Sequence, residues 1–248
     1  MDIAGNRGPV TRYTFNVANP TAPVAAWQFD EGTGTTSADD NGNAHPVTIH
    51  GGSWTTSRAS EFGSAYAFTG GNSYAETQGP VVDTARSVTL TAWVKIDAAT
   101  TPELGRQAVV GQVGQNRPSF SITFDNATRM WWLLGLRDDT ADPVPGTIVS
   151  SPARLDEWTH LAAVYDVADR SYRLYVNGQL AGTQNSFVKV WNATGPVEIA
   201  RTKKGSAFAD FLTGAVDDVR VYNRVVSADE IRAIAASTPA SRPNATLH

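Results

Sequence analysis

Two stretches of this chain place oxygen-bearing side chains where they could do chemistry. The first is an opening loop. Asp30-Glu-Gly-Thr-Gly34 breaks an apolar run, and Ser37-Ala-Asp-Asp-Asn-Gly-Asn43 follows. Hard cations such as Ca²⁺ favour this composition, because they take about six to eight oxygens from carboxylates, amides, carbonyls and water. The spacing lacks the terminal Glu of an EF-hand loop, and the same residues also read as an Asx-rich turn. The second stretch is Gly214–Tyr222. Strict alternation puts Asp217 with Val219 and Val221 on a core face, and Asp218, Arg220 and Tyr222 on the other. A carboxylate at a core edge is costly unless it is paired, hydrogen-bonded or bound to a metal. Zinc does not suit this strand, since the chain has no Cys and the strand no His.

Catalytic constellations are missing. Asp138-Asp139 and Asp217-Asp218 are adjacent pairs, and neighbouring strand residues point to opposite faces. The four His (His45, His50, His160 and His248) are scattered, and there is no Gly-x-Ser-x-Gly elbow or phosphate-binding loop. The chain reads as a non-enzyme.

The elements that must position these residues are short strands. Apolar and β-branched runs recur from Val24 to Tyr222, with Gly, Asn, Asp or Pro in the gaps. This spacing predicts an all-β antiparallel sandwich rather than βαβ units. Tyr172-Arg-Leu-Tyr-Val-Asn-Gly-Gln-Leu180 is the strongest hairpin, with Asn177-Gly178 suited to a type I′ turn. One short C-terminal helix is expected after Ser227, which with Glu230 forms a capping box. The 248 residues, 41% of them hydrophobic, suffice for one large β domain over 24–236. Residues 1–23 read as a linker or the end of an upstream module, and 237–248 as a C-terminal linker. The net charge of −4 offers no footprint for nucleic acid, and no apolar run is long enough to span a membrane. No signal-peptide pattern opens the chain.

Alternation also suggests a ligand-binding face. Trp93 stands opposite Val88, Leu90, Ala92, Val94 and Ile96. Tyr175 stands opposite Tyr172, Leu174 and Val176, and Trp131 opposite Met130, Trp132 and Leu134. With Arg201, which follows the strand Val197–Ile199, these rings are the expected lining of an open groove. Arg hydrogen bonds and ring stacking are the usual chemistry of such grooves.

Four motifs in order resemble one family. Ala26-Trp-Gln-Phe-Asp-Glu-Gly-Thr-Gly34 with Asp40-Asn-Gly-Asn43 is similar to the opening of bacterial laminin-G-like, concanavalin A-like jelly-roll domains. Ser87–Lys95 resembles a core strand, Trp158–Tyr165 with Leu174–Gly178 the central hairpin, and Gly214–Arg224 with Ser227–Ile231 the closing strand and helix. The resemblance implies a two-sheet antiparallel jelly roll in an accessory module of a larger secreted or surface protein. It implies carbohydrate binding, or else protein interaction or spacing between the other domains of a modular parent. It implies a structural Ca²⁺ joining the opening loop to the closing strand, with Asp30, Asp40, Asn43 and Asp217 as ligands. Glucanases of this fold carry a Glu-x-Asp-x-x-Glu strand, which this chain lacks. Ligand specificity is expected in the loops Asp97–Arg106, Asp138–Val149 and Gln184–Thr194.

Overall fold

Val, Ile, Thr and aromatic residues fill the strand runs, and turn formers close them. The computed structural model describes residues 21–99, 105–136, 138–140, 147–186 and 191–237. The first half of the chain forms β1 (Ala25–Trp27), β2 (Thr36–Ser37), β3 (Val47–His50), β4 (Ser53–Thr56), β5 (Ser64–Thr69), β6 (Tyr74–Thr77), β7 (Val88–Ile96), β8 (Arg106–Val113) and β9 (Pro118–Asp125). The second half forms β10 (Met130–Gly135), β11 (Thr147–Pro152), β12 (Thr159–Asp166), β13 (Ser171–Val176), β14 (Gln179–Gln184), β15 (Val197–Ile199), β16 (Thr202–Lys204), β17 (Ala207–Ala209), β18 (Thr213–Tyr222) and the helix α1 (Ala228–Ala235). Residues 1–20 of the expected segment 1–23, residues 238–248 of the expected segment 237–248 and the middles of the three specificity loops lie outside the described residues.

Two eight-stranded antiparallel sheets stack face to face. The first runs β14-β13-β12-β7-β18-β5-β4, with β1 on β18; the second runs β11-β10-β9-β8-β15-β6-β3-β2. This is the expected jelly-roll sandwich. Between the sheets lies the main core, where Trp27, Phe29, Leu90, Ile96, Phe120 and Trp131 are all at most 1% exposed. The sequence reading missed β2, β4 and β11, whose Ser- and Thr-rich runs carry little apolar signal, and the three-residue strands β16 and β17.

A second, smaller core lies on the outer face of the first sheet. Ile231 and Ile234 of α1 pack there on Ala162, Val164, Tyr175 and Tyr222. Burying an Ile side chain is worth roughly 1.5–3 kcal/mol, enough to hold a two-turn helix against the sheet. Ser227 caps α1 by accepting the Glu230 N–H at 3.2 Å. The hairpin turn forms as expected, with Asn177 at φ 49° and Gly178 at φ 77°.

Two face assignments change. In β10 the buried residues are Trp131 and Leu133, while Met130, Trp132 and Leu134 are half-buried on the outside. Both sets are apolar, so alternation alone could not choose between them. In β18 the pairing with β7 slips between Asp217 and Arg220, with Asp218 at φ 48°. This bulge inserts an extra residue and reverses the phase. Asp217 therefore faces outward beside Trp93, its register partner, while Val216, Val219 and Val221 face the core.

Candidate functional site

The most elaborate polar cluster on the second sheet grows from strands β6 and β15. Their register sets Glu198 directly opposite Glu76, and Glu76 opposite Thr48 of β3. The intervening Ala75, Val197 and Ile199 go to the core. Glu198 is thus one carboxylate in an apolar strand, fully buried at 0% exposure. Three residues on, Arg201 returns over it. Arg201 Nε donates to Glu198 Oε2 at 2.6 Å, and Nη2 donates to Glu198 Oε1 at 3.2 Å and to Glu76 Oε2 at 2.8 Å.

Two rings hold this guanidinium between them. The Tyr74 ring centre lies 3.3 Å from Arg201 Cζ and that of Phe208 3.5 Å. Phe208 arrives on the β16–β17 ribbon, where it pairs with Lys203. A cation enclosed by two ring faces gains quadrupole attraction on both sides. His50 stacks on Tyr74 at 4.4 Å, and its Nε2 lies 3.5 Å from Glu76 Oε1. Burial first of all, against the opposing pull of Arg201, pushes the Glu198 carboxyl up to about 7. The centre of the cluster is closed, with Arg201 only 5% exposed. Its rim is open: Phe208 is 38% exposed, and the side chains of His50 and Glu76 are 41% and 30% exposed.

The expected ligand face is not assembled. Trp131 is a core residue at 0% exposure, for the reason given above. Tyr175, 4% exposed, lies beneath α1. Trp93 is half-buried, with the Arg58 guanidinium 4.3 Å from its ring centre. Arg201 alone belongs to an open-rimmed cluster, and its Nε and Nη2 groups donate to Glu198 and Glu76. Sequence reasoning missed His50, Tyr74, Glu76, Glu198 and Phe208. The one available signal was an acid, Glu198, between Val197 and Ile199.

Each of the expected metal ligands is held by other partners. Asp217 Oδ2 accepts Arg58 Nη1 at 2.9 Å and the Ser57 hydroxyl. Asp30 accepts the Ser64 N–H at 3.1 Å, and the Asn43 amide donates to the Val24 carbonyl at 2.9 Å. Asp40 Oδ2 accepts the Gln28 N–H at 3.0 Å. Asp39, outside the expected set, takes N–H groups from Ala26, Asn41 and His45. Among the described residues no group of three or more His, Asp or Glu is arranged to hold a metal ion. Asp217 therefore does not fit the role expected of it.

Comparison with known proteins places this geometry. The family model of the concanavalin A-like lectin/glucanases superfamily matches residues 69–232, about two thirds of the chain. No curated protein matches the sequence. Among solved structures, a Trypanosoma rangeli sialidase in complex with the inhibitor DANA aligns with TM-score 0.63 and 19% identity, covering 89% of this chain and 34% of its own. The binding domain of botulinum neurotoxin DC in complex with SialylT aligns with TM-score 0.65 and 11% identity, covering 87% of this chain and 51% of its own. The same domain in complex with rat synaptotagmin II gives 0.64 and 11%, covering 88% and 52%. This chain thus spans about half of the neurotoxin binding domains and a third of the sialidase. At these identities the shared property is the fold.

Proposed function

The chain belongs to the concanavalin A-like lectin/glucanases superfamily, and from that premise we propose that it is a non-catalytic, carbohydrate-binding accessory module of a larger secreted or surface protein. The observation that carries this reading is the open rim around Arg201. Phe208 and His50 offer ring faces to the apolar side of a pyranose, Tyr74 stacks between Arg201 and His50 and holds them in place, and the Glu76 carboxylate offers acceptors to the sugar hydroxyls. The ion pair beneath fixes these groups before any ligand arrives, which lowers the ordering cost of binding.

Glu198 supports the non-catalytic part. Most glycoside hydrolases flank the scissile bond with two carboxyl groups. Glu76 and Glu198 are directly opposed on adjacent strands. Glu198 is fully buried, however, and both its oxygens accept from Arg201. A glycosidic oxygen does not reach it.

The test is retention on insoluble polysaccharides together with a glycan array, using wild type and Phe208→Ala. At least one glycan should be retained, and Phe208→Ala should weaken it about tenfold. Retention that ignores the substitution removes the Arg201 rim as the site. No retention on any glycan leaves a protein-interaction or spacer module.

The calcium proposal takes an altered form. Asp218, rather than Asp217, lines with Asp40, Asn41, Gln28 and Arg220 a space of about 10 Å³, near the volume needed for a single water. Burial, with Glu31, Asp30 and Asp39 nearby, pushes the Asp40 carboxyl up to about 6. A structural Ca²⁺ in this space would favour the ionised carboxylate against that burial. Asp40 is its proposed first ligand and Asp218 the contribution of the closing strand, with backbone oxygens and water completing the shell. Arg220 already donates to both Asp218 oxygens, at 2.7 and 2.9 Å, so the ion competes with a guanidinium.

A further inference from the structure

The outer face of the first sheet is divided. Helix α1 covers the half carrying Ala162, Val164, Tyr175 and Tyr222. On the other half, register sets Lys95 beside Ala215 and Ala215 beside Ala67, one row across β7, β18 and β5. Thr213 and Thr69 form a second pair two residues along. With Thr55 of β4 these residues line an open cleft of about 390 Å³, and Asp97 and Asp156 stand at its edge.

This edge is fixed by backbone bonds. The Asp97 N–H donates to Thr213 O at 3.2 Å, and the Asp156 N–H to Ile96 O at 2.8 Å. Asp156 Oδ1 accepts the Ala98 N–H at 2.9 Å. Lys95 Nζ lies 5.5 Å from the Trp158 ring centre.

We propose that this cleft is a second saccharide site, taking one or two units of a neutral sugar. Its volume falls in the range of roughly 300–1,000 Å³ common to small-molecule clefts. Donors and acceptors are mixed around it: an ammonium, threonine hydroxyls and two carboxylates. Sugar hydroxyls donate and accept at once, so such a lining suits them. One cation against two carboxylates disfavours an anionic ligand. The two alanines leave a flat apolar floor for the C–H face of a pyranose. The inference extends the carbohydrate reading to another face and uses none of the residues around Arg201.

The test is a ¹⁵N NMR titration with cellobiose, maltose and lactose on wild type, Phe208→Ala, Ala67→Trp and Lys95→Ala. One of these sugars should shift the amides of Thr69, Lys95, Thr213 and Ala215. The shifts should be unchanged in Phe208→Ala, abolished in Ala67→Trp, whose indole fills the cleft, and about tenfold weaker in Lys95→Ala. If Ala67→Trp does not fold, Lys95→Ala decides. No shift with any of the three sugars, shifts confined to other residues, or shifts that persist in the deciding variant overturn the proposal. The rim at Arg201 fails separately, on polysaccharide retention that ignores Phe208→Ala.

Discussion

Two arginine sandwiches stand on opposite sheets of this molecule. Arg58 lies between Phe62 and Trp93, at 4.1 and 4.3 Å from their ring centres, over Asp217. Arg201 lies between Tyr74 and Phe208 over Glu198. In both, the acid is fully buried and the arginine side chain less than a tenth exposed. The surroundings differ. Near Arg58 is the buried imidazole of His160, 5.4 Å from Trp93 and 1% exposed. Arg201 instead reaches outward to Glu76, whose side chain is 30% exposed. One local chemistry thus serves two ends. The first sandwich locks the closing strand to the turn after β4, and the second holds an open rim in place.

The largest expected effect tests that contrast through stability. Arg58→Ala leaves Asp217 without its cation in a sealed site and should cost about 3–5 kcal/mol. Arg201→Ala should cost less, roughly 1–3 kcal/mol, because Glu198 takes up a proton readily at neutral pH and water reaches the rim. Urea denaturation at pH 7 measures both, and equal losses would break the comparison.

A smaller effect lies in the pH dependence, where the two sites have opposite signs. Burial, helped by Arg220 and Arg58 and opposed by Asp218, lowers the His160 pKa from 6.5 to about 3. The unfolded chain binds this proton more readily, so the stability present above pH 6.5 is lost as pH falls toward 3. Glu198 is raised from 4.5 to about 7. Its contribution is complete below pH 4.5 and is lost as pH rises through 7. Each limb amounts to a few kcal/mol at most, on the order of 1.4 kcal/mol per pH unit. Melting temperature against pH should show His160→Phe flattening the acid limb alone and Glu198→Gln the neutral limb alone. A His160→Phe profile parallel to wild type would remove His160 as the cause.

The smallest effect concerns the opening loop, where Arg220 has in part done the work of a cation. Chelation should lower the melting temperature by about 2–4 °C, the equivalent of roughly 1 kcal/mol in a chain of this size. Asp40→Ala should abolish the response to added Ca²⁺, and Asp217→Asn should keep it. An unchanged wild-type melt discards the ion.

What was legible in the chain was local. Asn177-Gly178 makes its turn because the positive φ of both residues suits their types, whatever surrounds them. Ser227 caps α1 through a partner three residues away. The strand spacing and the four ordered motifs led to the two-sheet jelly roll. The candidate site was less legible: Arg201 was picked out, but its rings and second carboxylate come from Tyr74, Glu76 and Phe208, and Glu76 lies 125 residues away in sequence.

The sequence by itself determined most of the longer strands, the hairpin, the helix cap and the class of fold, since each follows from neighbouring residues or a period of two. Tertiary structure decided which apolar face of β10 is the core, because Met130, Trp132 and Leu134 compete on equal terms with Trp131 and Leu133. It also decided the partner of Asp217. A bulge of one residue reversed the strand's phase, and Ser57 and Arg58, about 160 residues earlier, supplied the charge and hydrogen bonds that a buried carboxylate requires. Period-two alternation does not foresee an inserted residue, and composition does not reveal which distant cation will fold back to meet it.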